Sequence, residues 1–347
     1  MNIEVAVIIV NWNGKKYLEI CLESLKMQTF KDFETIIVDN GSIDDSLAFL
    51  ENNYPEVKII KLEKNSGFSF ANNVGIKKAF ENSEIKYIIA LNNDTKLEAN
   101  FIQKIIECAK NNPGFGSIQP KVLNFDGTKI DCTGILIYPE MSAQNRGYDE
   151  MDRGQYEKEE EIFGSSACAV VYSKEALEKI KLPENNYFDE DYFAYYEDVD
   201  LAWRLRLAGF EACYCPKARV LHVHSATGIK FSPFKKFYLH RNQYYNIIKN
   251  LPFWMMVKAI LFMPIRYLLV LHGMLIKKGT VSKTYQGSSN SMNIIKSISK
   301  GWLEIIKNLP NLIKKRKLIQ KSKIVSNWEI KEWFKIYKAD FKKIIYG

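Results

Sequence analysis

The chain has 347 residues with 47% hydrophobic content, which is enough to bury a large core in one big domain or two. Its six cysteines are scattered, and the "CYC" at 213–215 is too tight for the usual spacing of paired zinc ligands, so no convincing zinc motif is present. The opening "MNIEVAVIIV" is acidic and strand-like rather than a signal peptide, and we therefore expect reduced thiols in a cytosolic protein.

The net charge of +9 is unevenly distributed along the chain. Residues 231–347 contain 23 Lys and Arg against four Asp and Glu, a net charge of +19, whereas residues 1–230 contain 26 against 36, a net charge of −10. Such a split predicts an acidic body that carries a basic arm. A basic arm requires an anionic partner, either nucleic acid or a phospholipid surface.

The first hundred residues alternate between strand and helix patterns. Four apolar runs of strand-forming residues end in polar turns: "VAVIIV" (5–10), "ETIIVD" (34–39), "VKIIKL" (57–62) and "KYIIALNND" (86–94). Segments of about ten to fifteen residues with helical spacing of apolar side chains separate them. Parallel β-α-β units with helices on both faces of the sheet have this pattern, so we predict an α/β fold with a mostly parallel sheet.

From residue 114 the pattern loosens into short strands and turns. The segment 147–163 is polar and rich in Glu, and we expect it to become ordered only over a bound ligand. The segment "EDVDLAWRLRLAGF" (197–210) is predicted to be helical and to end at Gly209. A last strand region, 211–228, carries two histidines.

Beyond about residue 231 the chain becomes basic, and we predict two domains, residues 1–230 and residues 231–347. The apolar stretch 251–276 contains ionisable residues and Pro264. A bilayer core penalises each central charge by roughly 2.5–3.5 kcal/mol, so we predict helices that lie in the membrane interface rather than span the membrane.

Two more segments of the second domain, 294–309 and 330–345, have the pattern of basic amphipathic helices. One side of the first carries four apolar residues: Ile298, Trp302, Ile305 and Leu309. Stripes of this kind also serve for packing within a protein. The density of Lys among Trp and Phe favours the membrane surface.

Polar residues follow each of the four predicted strands. These are Asn11 after the first strand, Asp39 after the second, the segment 64–73 after the third and Asp94 after the fourth. In an open parallel sheet, ligands bind at the carboxyl ends of the strands. Four such ends predict a site for a polar molecule of nucleotide size.

The sequence lacks the usual phosphate-binding motifs. No G-x-G-x-x-G follows the first strand and no G-x-x-x-x-G-K-[ST] occurs anywhere, so neither a dinucleotide site nor a P-loop is supported. A divalent cation held by a carboxylate could neutralise a diphosphate instead, and Asp94 is the candidate for that role. The alternative for Asp94 is a turn or helix cap before residue 97.

Five motifs then occur in a recognisable order: "VIIVNWNG", "IIVDNGSIDDS", "NSGFSFANNVGI", "LNNDT" and "FDEDYFAYYEDVDLAWRLRLAGF". Together they resemble the family 2 glycosyltransferases, and specifically their rhamnosyltransferase-like bacterial branch. The resemblance covers about residues 3–250. It implies the GT-A nucleotide-diphospho-sugar transferase fold, with a C-terminal helical extension.

The resemblance implies a donor site at the strand ends. Asp39 matches the acid that accepts a hydrogen bond from the pyrimidine ring of the donor. The other residues implied to contact the nucleotide are Asn11, Asn65, Gly67, Asn73 and Asn93.

The resemblance also implies a metal site, because Asn92-Asn93-Asp94 matches the D-x-D element that holds the metal. Asn at the first position leaves Asp94 as the main carboxylate ligand, so a second ligand is expected. His222 matches a histidine that completes the shell of Mn²⁺ or Mg²⁺ in relatives. His224, two residues along a strand, stays open as the alternative.

The acidic start of the predicted helix at 197 matches the catalytic centre of the family. The resemblance makes Asp198 the general base that deprotonates the acceptor hydroxyl. Glu197 is then an acceptor contact or a helix cap, and Asp200 is an outward charge or one that complements the helix dipole. Trp203 packs either under the acceptor or into the core.

These residues predict a metal-dependent, inverting glycosyltransferase. Its donor would be dTDP-rhamnose or a UDP-sugar, and its acceptor a polyprenyl-linked saccharide in cell-surface polysaccharide synthesis. We expect a cytoplasmic protein, peripheral at the inner face of the cell membrane, with an anionic membrane surface as partner. Nucleic acid is not expected, because no nucleic-acid motif is recognisable. The alternative is a non-catalytic, membrane-docked protein that binds a nucleotide sugar or a glycan.

Overall fold

The computed structural model describes residues 3–223, 232–275 and 291–340. The chain divides into two compact units. The first comprises Met1–Ile135 and Asn145–Thr227, and the second comprises Leu136–Gln144 and Gly228–Gly347. The sequence had assigned the short segment 136–144 to the first domain, whereas it belongs to the second unit.

Twelve strands lie in the described residues, and all but part of one hairpin belong to the first unit. In chain order they are β1 (Val5–Asn11), β2 (Phe33–Asp39), β3 (Lys58–Lys61), β4 (Tyr87–Asn92), β5 (Thr95–Leu97), β6 (Phe115–Asn124), β7 (Ile130–Cys132), β8 (Ile135–Ile137), β9 (Ala143–Asn145), β10 (Glu160–Ile162), β11 (Ala169–Ser173) and β12 (Glu211–His222). The helices of the first unit are α1 (Lys15–Lys26), α2 (Ser46–Asn53), α3 (Phe68–Ala79), α4 (Phe101–Asn111), α5 (Lys174–Ile180) and α6 (Glu197–Leu207).

The strands of the first unit form one mixed sheet in the order β10-β12-β6-β11-β4-β1-β2-β3. The pairs β3–β2, β2–β1 and β1–β4 are parallel, as predicted. The pair β6–β12 is parallel too, whereas β11 is antiparallel to both β4 and β6. Two short strands join the sheet outside this order: β5 pairs with β12, and β7 pairs with β6. The prediction of an α/β sheet flanked by helices is confirmed.

The alternation of side chains along β1 explains why helices cover both faces of the sheet. Val5, Val7 and Ile9 pack on the face covered by α1 and α4, whereas Ala6 and Ile8 pack on the face covered by α3, α5 and α6. All five side chains are fully buried. A strand that is apolar at every position requires two covered faces, and successive side chains point to opposite ones.

The Glu-rich segment 147–163 has partners within the protein. The ammonium group of Lys121 is fully buried and pairs with Asp152 at 2.8 Å and with Glu157. Farther along, Glu161 accepts from Arg206 at 2.6 Å. The expectation that this segment orders only over a bound ligand was wrong, because composition alone does not reveal the cations supplied by β6 and α6.

Helix α6 is fixed by a buried ion pair. The guanidinium of Arg204 donates to the Asp200 carboxylate at 2.8 Å, and also to the carbonyls of Ile180 and Tyr187 at 3.0 and 2.6 Å. Both charged side chains are buried. Asp200 is therefore not an outward charge, as one reading of the sequence had it, but the partner of a cation that anchors the connection between α5 and α6.

The second unit contains four described helices: α7 (Pro233–Asn250), α8 (Phe253–Leu275), α9 (Ser291–Ser322) and α10 (Asn327–Ile336). Ser232 caps α7, and Ser326 and Glu329 form a capping box at the start of α10. The Trp302 ring of α9 packs on Tyr244 of α7, with ring centroids 4.4 Å apart.

The predicted apolar stripe of α9 is its packing face only in part, because Leu309 is exposed. Ile305 is buried, and Trp302 contacts α7. A different apolar row on α9 is exposed, including Leu303 and Ile306. Within the described residues, no helix combines the length and the apolar character needed to cross a bilayer.

Replacing Asp200 by alanine should strongly destabilise the first unit, because Arg204 would keep a buried charge without its carboxylate. We expect a loss of about 3–5 kcal/mol in the free energy of unfolding. Urea denaturation followed by circular dichroism measures this loss. The control is Glu81→Ala, which removes an exposed ion pair with Lys78 and should cost at most about 1 kcal/mol. Equal losses in the two variants would contradict the role given to the buried pair.

Candidate active site

The ends of β1, β2 and β4 bring together three of the predicted site residues. Asn11 lies opposite Asp39 in the β1–β2 register, and its amide donates to the Asp39 carboxylate at 3.0 Å. The amide of Asn93 donates to the Asn11 carbonyl at 2.7 Å. The second Asp39 oxygen accepts from the Ser42 backbone N–H at 2.9 Å. All three predicted residues are buried, so they form a fixed polar row at the carboxyl edge of the sheet.

Gly14 makes this row possible, and the sequence analysis did not identify it. A Cβ atom at position 14 would overlap both the Asn93 amide and the Asn11 carbonyl. Gly14 was visible in the sequence as the last residue of the turn "NWNG" after β1. Only the pairing of β1 with β4 shows that the absence of a side chain at Gly14 leaves room for Asn93.

Asn65 and Gly67 shape the turn that leads into α3. The Asn65 carbonyl accepts from the Gly67 N–H at 3.0 Å and from the Asn40 amide at 3.1 Å. Gly67 has a φ of +92°, and a Cβ there would lie 2.6 Å from the carbonyl oxygen of Phe193. Glycine is therefore required by both the backbone conformation and the close approach of the segment before α6.

Asn73 is placed differently from the other predicted donor residues. It is fully buried, and its carbonyl accepts from the N–H groups of Tyr187 and Phe188 at 3.0 and 2.9 Å. Its amide donates to the Phe188 carbonyl and to Glu190 at 2.9 and 3.0 Å. The contacts of Asn73 are thus with the loop before α6, and its contact with a nucleotide stays a prediction.

Asp94 and His222 meet because β5 pairs antiparallel with β12. The pairing sets Thr95 opposite His222, so the turn that carries Asp94 lies beside the end of β12. The Nε2 atom of His222 lies 3.2 Å from Asp94 Oδ1. Its Nδ1 atom lies 2.6 Å from Asp131 Oδ2 on β7. His224 lies outside the described residues.

Asp131 is a site residue that the sequence analysis missed. It lies in the loosely patterned region after residue 114, and only the pairing of β7 with β6 and of β6 with β12 brings it to the histidine. Burial disfavours the charged imidazole of His222, but the Cys168 sulfur and the hydrogen bonds to Asp131 and Asp94 outweigh this effect and raise its pKa. The three side chains therefore act as one electrostatic unit.

Asp198 lies at the same edge of the sheet. Its Oδ1 accepts from the Val199 N–H at 2.8 Å, and its Oδ2 accepts from the Ala167 N–H at 3.3 Å. The next residue, Cys168, accepts from the Asn92 N–H at 2.8 Å through its carbonyl. Two adjacent residues of the chain thus connect Asp198 to the turn that holds Asp94.

Two adjacent carboxyl groups begin α6. Burial raises the pKa of Asp198. Burial and the charge of Asp198 raise the pKa of Glu197 to about 8. A raised pKa makes a carboxylate a stronger base, because its protonated form becomes relatively more stable.

The backbone before α6 has an unusual conformation. Phe193, Tyr195 and Tyr196 have φ values of 58°, 67° and 69°, a region that bulky side chains rarely adopt. Such residues cluster at ligand-binding and catalytic sites, where surrounding contacts hold them. Here the Phe193 carbonyl accepts from the Phe68 N–H at 2.6 Å.

Trp203 belongs to the core. Its ring is fully buried and packs edge-on against Phe163, with centroids 4.9 Å apart. Of the two positions expected for Trp203, the structure has the one in the core, so the side chain has no surface left for an acceptor.

A largely parallel sheet with polar residues at the carboxyl ends of its strands is the architecture in which open α/β proteins bind their ligands. The profile described as "Glycosyl transferase family 2" matches residues 6–181. The chain belongs to this family and is a glycosyltransferase, as predicted from its motifs. The alternative of a non-catalytic binding protein is not supported.

Two curated relatives are similar over most of the chain. An N-acetylglucosaminyl-diphospho-decaprenol L-rhamnosyltransferase of Mycobacterium tuberculosis is 26% identical over 266 residues, covering 69% of this chain and 82% of the relative. The dTDP-rhamnosyl transferase RfbF of Shigella flexneri is 25% identical over 287 residues, covering 78% and 89%. The predicted rhamnosyltransferase-like resemblance is confirmed.

Solved structures support the GT-A fold. The crystal structure of GalNAc-T7 with UDP, GalNAc and Mn²⁺ matches with a TM-score of 0.54 and 16% identity over 72% of this chain. The chain spans about half the length of that structure, 51%. The similarity therefore concerns the fold.

Alanine at position 14 should weaken the polar row at the strand ends. The new methyl group must displace Asn93 or Asn11, and we expect a loss of about 1–3 kcal/mol in the free energy of unfolding. Gly114→Ala is the matched control, because a Cβ there would meet nothing within 4 Å. If urea denaturation gave the same stability for both variants, the close approach at Gly14 would not be a constraint.

Proposed function

We propose that this glycosyltransferase moves a sugar, with inversion, from a nucleotide diphosphate donor to a saccharide carried on a polyprenyl diphosphate. The observation that carries the proposal is the contact of Asp94, His222 and Asp131 beside the row of Asn11 and Asp39. Asp198 joins the same edge of the sheet through its bond to Ala167. In this proposal an acid that binds the pyrimidine, a pair of metal ligands and a general base lie at one edge of the sheet.

The donor is dTDP-rhamnose or a UDP-sugar. Two relatives are named as rhamnosyltransferases, and one of these names specifies dTDP-rhamnose chemistry. Asp39 has two internal donors, and its carboxylate can accept further hydrogen bonds, including one from a pyrimidine N–H. The mycobacterial relative is named for a diphospho-decaprenol acceptor, which supports a lipid-linked saccharide acceptor here.

The residues present fit a divalent cation, Mn²⁺ or Mg²⁺. The 3.2 Å between Asp94 Oδ1 and His222 Nε2 is close to the separation of about 3.0 Å expected for neighbouring ligands of an octahedral ion with bonds of 2.0–2.1 Å. Asp131 accepts from His222 Nδ1, which leaves Nε2 as the coordinating atom. A cation bound there would neutralise charge on the donor diphosphate. A protein of the same fold was crystallised with UDP and Mn²⁺.

Asp198 acts as the general base. A carboxylate can take the proton of the acceptor hydroxyl as that oxygen attacks the anomeric carbon from the face opposite the leaving diphosphate. One direct displacement of this kind inverts the anomeric configuration. The backbone N–H groups of Ala167 and Val199 hold the carboxylate in place, and its burial strengthens it as a base.

The second unit is the membrane-binding part of the enzyme. On α8, Trp254 and Leu261 are seven positions apart and are 73% and 69% exposed. On α9, Leu303 and Ile306 are 68% and 65% exposed. The exposed apolar side chains of α8 and α9, in a unit where α9 is rich in Lys and Arg, suit insertion at the boundary of an anionic bilayer. We place the enzyme at the cytoplasmic face of the membrane, where lipid-linked acceptors would be reached.

A nucleotide thermal-shift series tests the donor and metal sites. UDP or dTDP with Mn²⁺ should raise the melting temperature, and at a concentration of 100 times the Kd the stabilisation is about 2.7 kcal/mol. Neither EDTA-treated protein nor Asp94→Ala should respond. Equal stabilisation with Mn²⁺ and with EDTA would contradict a metal-bridged donor.

The same thermal-shift measurement tests the role of Asp131, the carboxylate that contacts His222 Nδ1. Asp131→Asn should weaken Mn²⁺ binding about 10–100-fold, because the imidazole loses the acceptor that orients it. Asp126→Asn, an exposed carboxylate on the turn before β7, is the matched control and should bind Mn²⁺ like the wild type.

Asp198→Asn should lower kcat by about 10²–10⁴-fold with the donor still bound, because the amide cannot accept the proton. Asp45→Asn, at the start of another helix and exposed, should keep full activity. Sugar transfer is measured with a synthetic lipid-diphosphate saccharide. Near-wild-type turnover of Asp198→Asn would assign the base elsewhere.

The pH profile of kcat follows from the raised pKa of Asp198. The base must be ionised, so the rate should fall as the pH drops through a value above the ordinary Asp pKa of about 3.9. Glu197 has a pKa raised to about 8 and is neutral over that range. Glu197→Gln should therefore keep the acidic limb in place, and a shift of that limb would contradict Asp198 as the titrating base.

Vesicle flotation tests the membrane surface. The protein should bind vesicles containing phosphatidylglycerol, and high salt should release part of it, because charge and apolar insertion both contribute. Leu303→Ser with Ile306→Ser should weaken binding at least tenfold. Met27→Ser, which removes an equally exposed apolar side chain from the first unit, is the control. Unchanged binding of the double variant would exclude this row as the inserting surface.

A further inference from the structure

Three of the six cysteines come together in the first unit, far from the candidate active site. Cys108 lies in the last turn of α4, and Cys213 and Cys215 lie on one face of β12. Cys213 and His222 pair with Ile118 and Asn124 on β6, which are six positions apart, a distance on the order of 20 Å along a strand. None of these groups takes part in the chemistry proposed above.

A carboxylate completes the cluster. The Sγ atoms of Cys108 and Cys213 and a carboxylate oxygen of Glu159 all lie within 4.8 Å of one another. The Cys213 sulfur is 3.9 Å from Glu159 Oε1. Glu159 is brought there by the adjacent strand, since β10 pairs with β12 through Glu161 and Cys213.

An amide orients this carboxylate. The Asn112 Nδ2 atom donates to Glu159 Oε1 at 2.8 Å and lies 3.9 Å from the Cys108 sulfur. Metal-binding groups are commonly held by such outer hydrogen bonds. Cys215 also contacts Cys108, and its thiol faces the Lys104 carbonyl at 3.9 Å.

We propose that Cys108, Cys213 and Glu159 bind a zinc ion, with Cys215 as the candidate fourth ligand. Zinc takes thiolate and carboxylate ligands in tetrahedral geometry, with Zn–S near 2.3 Å and Zn–O near 2.0–2.2 Å. Those bonds place S and O ligands about 3.6 Å apart and two S ligands about 3.8 Å apart. The 3.9 Å between the Cys213 sulfur and Glu159 Oε1 is already close to the first value, and the other separations, which are at most 4.8 Å, need to shorten by at most about 1 Å.

The site differs in chemistry from the one at Asp94. Two sulfurs select a thiophilic ion such as Zn²⁺, whereas a carboxylate and an imidazole suit Mn²⁺ or Mg²⁺. A zinc ion would join α4, β12 and the residue before β10. It would therefore fix one end of the acidic segment 147–163 to the sheet. The "CYC" spacing that argued against a zinc motif is compatible with this site, because Cys108 contributes from another element.

Cobalt substitution tests the proposal. The full-length protein, reduced and stripped of metal by a chelator, is titrated with Co²⁺ in the Asp94→Ala background, so that the other metal site does not contribute. One equivalent should produce thiolate-to-cobalt charge-transfer absorption, and one equivalent of Zn²⁺ should abolish it. Cys108→Ser and Cys213→Ser should lose the absorption, and Glu159→Gln should weaken Co²⁺ binding at least tenfold.

Cys132→Ser, which removes a buried thiol elsewhere in the unit, is the matched control and should keep the absorption. Zinc should also raise the melting temperature of the protein with all its cysteines, which keeps the test valid if a serine variant folds poorly. Absence of both signals would overturn the proposal. So would persistence of the absorption in both serine variants, or a disulfide between these cysteines in the protein as isolated.

Discussion

The antiparallel pairing of β5 with β12 is the constraint on which the candidate active site depends. It returns the last strand of the sheet to the turn after β4, so that His222 reaches Asp94. The parallel pairing of β6 with β12 then brings Asp131 to the other side of the same imidazole, because β7 folds back on β6. Three side chains from distant parts of the chain are thereby fixed by backbone hydrogen bonds rather than by flexible loops.

Much of the fold could be predicted because it depends on local patterns. The continuous apolar strands and the polar residues after them indicate a doubly covered sheet and the position of its ligand edge. Asp131 and the cysteine cluster could not be predicted in this way. Cys108 and Cys213 are separated by 105 positions, and only strand order makes them neighbours. The sequence left Trp203 either under the acceptor or in the core, and its packing against Phe163 decides for the core. The spacing of residues along the chain does not predict this contact.

Periodicity on α9 identified an amphipathic helix but not the role of each face. The residues at Ile305 and Trp302 pack within the second unit, while Leu303 and Ile306 are exposed. When a helix has apolar residues on two sides, its sequence pattern alone does not specify which side packs inward. The partner helix α7 decides which side becomes internal, and the side that carries Leu303 and Ile306 stays exposed.

The contact between Gly67 and Phe193 has a consequence for the modularity of the enzyme. The start of α3 and the loop before α6 are joined by the hydrogen bond from the Phe68 N–H to the Phe193 carbonyl. The Asn73 side chain joins them again by accepting from the N–H groups of Tyr187 and Phe188. A chimaera that took only one of these segments from a relative would mismatch the other. The two segments would therefore have to be exchanged together.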